Sequence, residues 1–267
     1  MKKYFSFFKM RFAAGVQYRM AAVTALTTQL IWGLMECLAY KALMDSNAVA
    51  FPMQYSAVVS YVWLKEAFFA LFNTWAADND IYDMIMDGGI AYEMCRPVSI
   101  YGMWFSRTLG GRVAEASLRC VPVLLGAILV PSPYRISLPA NIQAFLFFLF
   151  TMLLATIITV SFCMVIYMLC FFTISPDGWR MLFMGAVEFL AGSVIPLPFM
   201  PQPYRGIIEL LPFASMQNVP LRIYSGDLAG TDMIHAVLLQ IFWAIVLLAI
   251  GNLLSRRAQH KVAIQGG

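Results

Sequence analysis

The sequence runs to 267 residues, 61% of them hydrophobic and only 12% charged, with a mean hydropathy of +0.74. An ordinary soluble domain carries about 25% charged residues, so this composition excludes a soluble globular protein and makes the bilayer the solvent. The formal net charge of +4 follows from basic residues flanking the apolar stretches and does not argue for nucleic acid.

The first nineteen residues mix aromatic and basic side chains, with Phe5, Phe8 and Phe12 on one helical face. That pattern predicts a helix lying along the inner leaflet. It is not a cleavable signal peptide, because the following apolar stretch is a full span with no small-residue cleavage site before Glu36. Six windows reach the ~20 apolar residues a spanning helix needs: 21–43, 55–76, 113–131, 143–173, 179–198 and 233–254.

Between the second and third windows, Asp80, Asp83 and Asp87 recur at helical spacing, while Ile81, Tyr82, Ile85 and Met86 spread over the other side. Gly88 and Gly89 then supply a left-handed helix stop. This predicts a short amphipathic helix with an acidic face, whose apolar side is buried under the bundle or in a partner. The same aspartates, with Asp78, offer the oxygen ligands a divalent metal prefers, as in membrane transferases that handle lipid diphosphates.

Between the fifth and sixth windows, residues 191–227 hold Pro196, Pro198, Pro201, Pro203, Pro212 and Pro220 out of thirteen prolines in the chain. Proline removes an amide donor and clashes with the preceding turn, so this segment is too broken to span. It is also too apolar for a solvated loop. Irregular backbone at membrane depth is tolerated only against protein or a water-filled cavity, so the segment dips into the bilayer edge and closes something.

Lysine and arginine placement sets the orientation. With the N-terminus inside, Lys2, Lys3, Lys9, Arg11, Arg19, Arg96, Arg107, Arg112, Arg180, Arg256, Arg257 and Lys261 are cytoplasmic. Lys41, Arg135, Arg205 and Arg222 fall outside. Both termini are therefore expected in the cytoplasm and the proline-rich segment on the outer face.

Enzymatic motifs are sparse. The sequence has no phosphate-binding G-x-x-x-x-G-K-[ST] loop, no H-E-x-x-H and no G-x-S-x-G, and His235 and His260 stand apart from each other. The five cysteines show no C-x-x-C spacing. Charges inside apolar windows need partners, since each costs about 2.5–3.5 kcal/mol on insertion scales. Glu115 and Arg119 pair four residues apart. Lys65 is expected to pair with Glu36 or Glu188 across helices; alternatively Glu66 or Glu188 lines a polar path or a subunit interface.

Taken in order, these features resemble the permease subunits of type-2 ABC exporters, in the bacterial branch of about 260-residue chains. The resemblance rests on Gly88-Gly89 followed by Arg96-Pro97-Val98. It rests also on Gly192, Pro196-Leu197, Pro201, Leu211-Pro212-Phe213, Pro220 and Tyr224-Ser225-Gly226. It implies an all-α polytopic membrane protein, one permease domain over residues 1–267. Six transmembrane helices, an N-terminal interfacial helix, a cytoplasmic coupling helix and short re-entrant outer helices would make up the fold. It further implies a pathway formed with a second permease subunit, the same or a different chain, in the bacterial cytoplasmic membrane. Two copies of a separate P-loop ATPase would carry ATP and magnesium, leaving no cofactor and no catalysis on this chain.

On that resemblance the coupling region comprises Asp80, Ile81, Asp83, Met84, Ile85, Asp87, Gly88, Gly89, Arg96 and Pro97. The exit gate comprises Gly192, Pro196, Pro198, Pro201, Pro212, Phe213, Pro220, Tyr224 and Gly226. Two alternatives remain: a metal-dependent lipid or isoprenoid transferase using Asp78–Asp87, and a proton-coupled transporter working through Glu188 or Glu66.

Overall fold

Helices account for all the regular structure among the described residues of the computed structural model, which are 2–17, 19–47, 51–75, 78–173 and 177–259. His260, Lys261 and the Arg19 side chain lie outside that set. In chain order the helices begin with α1 (Lys2–Gln17), α2 (Arg19–Ser46), α3 (Tyr55–Ala67), α4 (Phe69–Phe72), α5 (Asn79–Met86) and α6 (Ile90–Met94). Then come α7 (Ile100–Leu129), α8 (Ile142–Cys170), α9 (Asp177–Leu190), α10 (Tyr204–Leu210), α11 (Pro212–Met216), α12 (Asn218–Ser225) and α13 (Gly230–Gln259).

The 29-residue α8 and the 30-residue α13 are both long and apolar enough to cross a bilayer. They use that apolarity differently. Helix α8 is hydrophobic all round and two-thirds buried, the pattern of a central core helix. Helix α13 packs along α8 with one side and turns Ile234, Leu238, Phe242, Ile245 and Leu253 outward. Helices α2 and α7, of 28 and 30 residues, match them in length.

Two apolar windows depart from a continuous helix. The window 55–76 breaks at Phe68 into α3 and α4. In the window 179–198 the helix stops at Leu190, so that α9 has only 14 residues, about 21 Å at 1.5 Å per residue against a hydrocarbon core of about 30 Å. Its apolar residues continue to Pro198, but Gly192 at φ +83 turns the chain away and Pro196 could not rejoin the helix.

Caps explain two helix starts. Ser99 accepts from the Gly102 amide at 3.4 Å to open α7, and Asn141 accepts from the Ala144 amide at 2.7 Å to open α8. Helix α7 begins thirteen residues before its apolar window, and α1 lies along that early part. The approach is close: a Cβ on Gly110 would sit 2.6 Å from the Phe8 carbonyl oxygen. On α1, Phe8 stacks between Phe5 and Phe12, with centroids 6.2 and 6.0 Å away.

Candidate functional site

Helix α5 is fastened at its start. Asp78 occupies the N-cap position, yet its carboxylate does not cap the helix. Arg107 of α7 holds it instead, with Nε 2.8 Å from Oδ2 and Nη2 donating to Oδ1 at 3.2 Å. Arg107 also pairs with Asp80, and Arg11 of α1 reaches Asp78 Oδ2 at 3.4 Å. From α8, the Tyr167 hydroxyl accepts the Asp78 amide at 2.7 Å.

The two faces of α5 then separate as amphipathicity demands. Ile81 is fully buried, and the Tyr82 ring meets Tyr167 edge-on at 4.9 Å. Burial pushes the Tyr82 phenol above its ordinary range, so it stays neutral. Met84 and Ile85 are half-buried against the same core, while Asp83, Met86 and Asp87 are exposed. The apolar side is thus covered by the bundle itself.

Gly88 takes φ +74 after α5, and Gly89 leads into α6. Beyond α6, exposed Arg96 pairs with Glu93 at 3.6 Å, and Lys3 of α1 donates to the Pro97 carbonyl at 3.0 Å. The four aspartates do not converge on one point: two are held by arginine and two face outward. Among the described residues no acidic or histidine cluster has a metal-binding arrangement.

A second polar centre lies between α2, the end of α3 and α9. Lys65 donates to both carboxylate oxygens of Glu36, at 2.5 and 2.6 Å, and to the Ser193 carbonyl at 3.1 Å. Glu66 is 3.4 Å from the same ammonium. Glu188 shares a cavity of about 490 Å³ with the other three charges. Of the two carboxylates expected for Lys65, Glu36 is the direct partner.

This centre adjoins the start of the proline-rich segment. The Gly192 carbonyl accepts from the Tyr61 hydroxyl at 2.9 Å and from Gln217 Nε2 at 3.4 Å, while Ser193 donates to Gln217 Oε1 at 2.9 Å. A Cβ on Gly192 would lie 2.7 Å from the Tyr61 oxygen, so space and positive φ both require glycine.

From there the segment folds into short helices set by its prolines. Pro196 and Pro198 shape a 3-10 turn over Leu197–Phe199, Pro201 follows it, and Pro212 opens α11 at its first position. Phe213 packs edge-on against Phe162 of α8 at 5.5 Å. Pro220 sits inside buried α12, which Gly226 ends at φ +78. Tyr224 donates to the Ser137 carbonyl at 3.1 Å, tying α12 to the loop before α8. Arg222 is buried between Glu209 at 2.7 Å and Asp227 at 2.6 Å. Arg222 and Glu209 border a second cavity of about 380 Å³, which His235 also lines.

The pattern described as ABC-2 family transporter protein matches residues 30–266, nearly the whole chain. The chain belongs to that family. No curated protein matches it. As an ABC-2 permease it is the membrane component of a transporter rather than a catalytic chain, and membership implies association with an ABC ATPase and the lipid bilayer.

Several residues that organise this permease give little sign in the sequence. Arg112, counted above among cytoplasmic flanking charges, is buried in α7. It donates to the carbonyls of Ala70, Leu71 and Asn73 at 3.1, 3.3 and 2.6 Å, and to Cys163 Sγ at 3.4 Å. It therefore gathers the free carbonyls where α4 ends. Tyr61 and Gln217 are equally silent, since their partners are backbone groups far along the chain. Arg11 and Arg107 had a possible signal, because lysine and arginine placement assigned both to the side on which the acidic helix was expected.

Proposed function

We propose that this chain is the permease of an ATP-driven ABC exporter, forming the outward path with a second permease subunit above two copies of a separate ATPase. Helix α5 is the coupling element. The observation that carries this is its two-sided anchoring: Ile81 and Tyr82 are sunk in the bundle, while Asp83, Met86 and Asp87 face away from it. A docked ATPase meets the exposed side, and its movement passes through the buried side into α8 and through Asp78 into α1 and α7. Coupling requires an element that both sites bias, and α5 touches both.

In this arrangement six passages are made by α2, α3 with α4, α7, α8, α9 with its following turn, and α13. Both termini and α5 lie on the cytoplasmic side of a bacterial inner membrane, in keeping with the placement of lysine and arginine. The helices from Pro196 to Gly226 re-enter from the outer face and gate the exit. ATP and magnesium stay on the ATPase.

Co-purification tests the proposal. Tagged chain extracted in mild detergent should bring down a P-loop ATPase. Asp83→Lys combined with Asp87→Lys should weaken that association without lowering thermal stability. Recovery of the chain with no ATPase, or unchanged association of the double variant, would remove the motor or the coupling role respectively.

A further inference from the structure

The cavity beside Lys65 carries an inference that rests on the transport role and names its cargo. Its lining is unbalanced in charge. Glu36, Glu66 and Glu188 face a single ammonium, that of Lys65, giving a formal charge of −2. Lys65 is shared among Glu36, Glu66 and the Ser193 carbonyl. Three carboxylates that share one ammonium in an apolar interior are costly to keep charged, so the site favours an arriving positive charge.

Gln29 supplies an independent observation. It lines the same cavity, is only 6% exposed, and neither its amide nitrogen nor its oxygen has a partner. A buried carboxamide without partners is uncommon in a folded protein. Its oxygen is an acceptor waiting for a donor. Trp32, half exposed on the same lining, offers an aromatic surface to the apolar body of a ligand.

Size and geometry select the kind of cation. A volume of about 490 Å³ lies within the range of about 300–1,000 Å³ typical of small-molecule sites. The carboxylates surround the space without forming the tight group a metal ion needs, and no such group exists among the described residues. We propose that this cavity binds an organic, amphipathic cation, an amine or onium headgroup with an apolar body, as the transported cargo. The headgroup lies between Glu66 and Glu188, Gln29 takes a polar substituent, and Trp32 covers the apolar part.

Equilibrium binding of radiolabelled tetraphenylphosphonium to the full-length chain in nanodiscs tests this, with empty nanodiscs subtracted. Tetraphenylborate, an anion of the same shape, is the control. Saturable binding of the phosphonium is expected, with no saturable binding of the borate. Glu66→Gln and Glu188→Gln should each weaken phosphonium binding about tenfold. Gln29→Leu should leave it unchanged, because this probe carries no hydrogen-bond donor for the Gln29 oxygen. A primary arylalkylammonium ion, which does, should bind severalfold more weakly to Gln29→Leu. Glu188 is only half buried, so its variant serves even where the Glu66 variant folds poorly, as judged by gel filtration.

Equal binding of the phosphonium and the borate, or unchanged phosphonium affinity in Glu188→Gln, would overturn the site, and unchanged ammonium affinity in Gln29→Leu would overturn the role of Gln29. The assay needs no ATP. Loss of cation selectivity in a chain that still co-purifies with its ATPase therefore overturns the cargo assignment alone. Selective binding without an ATPase partner supports the site and overturns the ATP-driven role.

Discussion

Replacing Arg112 with methionine should loosen the junction between α4 and α5. Methionine keeps much of the apolar stem but abandons three carbonyls, those of Ala70, Leu71 and Asn73, now bonded at 3.1, 3.3 and 2.6 Å. Hydrogen bonds to a charged group contribute about 1.5–3 kcal/mol each. Against that stands the cost of burying a guanidinium that is only 4% exposed and, among the described residues, forms no ion pair with a carboxylate, several kcal/mol by itself. The expected net loss is about 2–4 kcal/mol, inside the range seen when a buried network is broken. At about 2–4 °C per kcal/mol for a chain of this size, melting should fall by roughly 5–15 °C.

Cys163 provides a local reporter, because it is 2% exposed and its sulfur accepts from Arg112. With Cys37, Cys95, Cys120 and Cys170 replaced by alanine, maleimide should label Cys163 much faster in Arg112→Met. Arg112→Lys should fall between, since a lysine ammonium cannot span three acceptors as a planar fork does. Wild-type melting within about 2 °C, together with unchanged labelling, would refute the carbonyl-gathering role.

Ile81→Asp places a carboxylate at a fully buried position and should cost about 3 kcal/mol or more. It should appear as loss of a monodisperse peak on gel filtration, whereas a well-folded but uncoupled variant would contradict the burial argument. Gly192→Ala forces a side chain into positive φ, about 1–2 kcal/mol, and into the Tyr61 oxygen. Adding Tyr61→Phe should recover part of the lost melting temperature, and no recovery would deny the clash. Lys65→Met leaves Glu36 and Glu66 facing each other without a cation and should cost about 3–5 kcal/mol. Thermal melting checks this too, with partial recovery expected when Glu36→Met is added.

What the sequence made legible follows from what kind of physics it records. Composition and window hydropathy report solvent preference, and so they found α8 and α13 and the class of the protein. The aspartate spacing marked α5 because amphipathicity is periodic, and the cost of a lone charge pointed Lys65 toward Glu36 or Glu188. Hydropathy alone overran α9, since residues 191–198 are apolar but conformationally unable to continue a helix. It also missed the first thirteen residues of α7, where Arg107 and Arg112 depress the average although both are engaged by protein groups.

The hidden part is mostly side chain to backbone. Arg112 answers carbonyls and Tyr61 answers Gly192, and no residue pattern announces a free carbonyl. The α1–α7 contact is similarly silent, because Gly110 is needed only once Phe8 lies across it. The polar centre was half visible: its charges could be named from the sequence, but not the fact that Gly192 and Ser193 of the proline-rich segment would come to rest against them.

The fastening of Asp78 has a mechanical consequence. One end of α5 is pinned to three other helices through Arg11, Arg107 and Tyr167, whereas the other ends at exposed Asp87 and a glycine turn. An eight-residue helix is about 12 Å long, so it forms a lever with its fulcrum at the pinned end. A tilt of about 10° would carry the far end roughly 2 Å over that length. The same tilt would turn Ile81, one residue into the lever's second half-turn, by much less. A push at the tip therefore reaches the bundle as a short, strong displacement beneath α8.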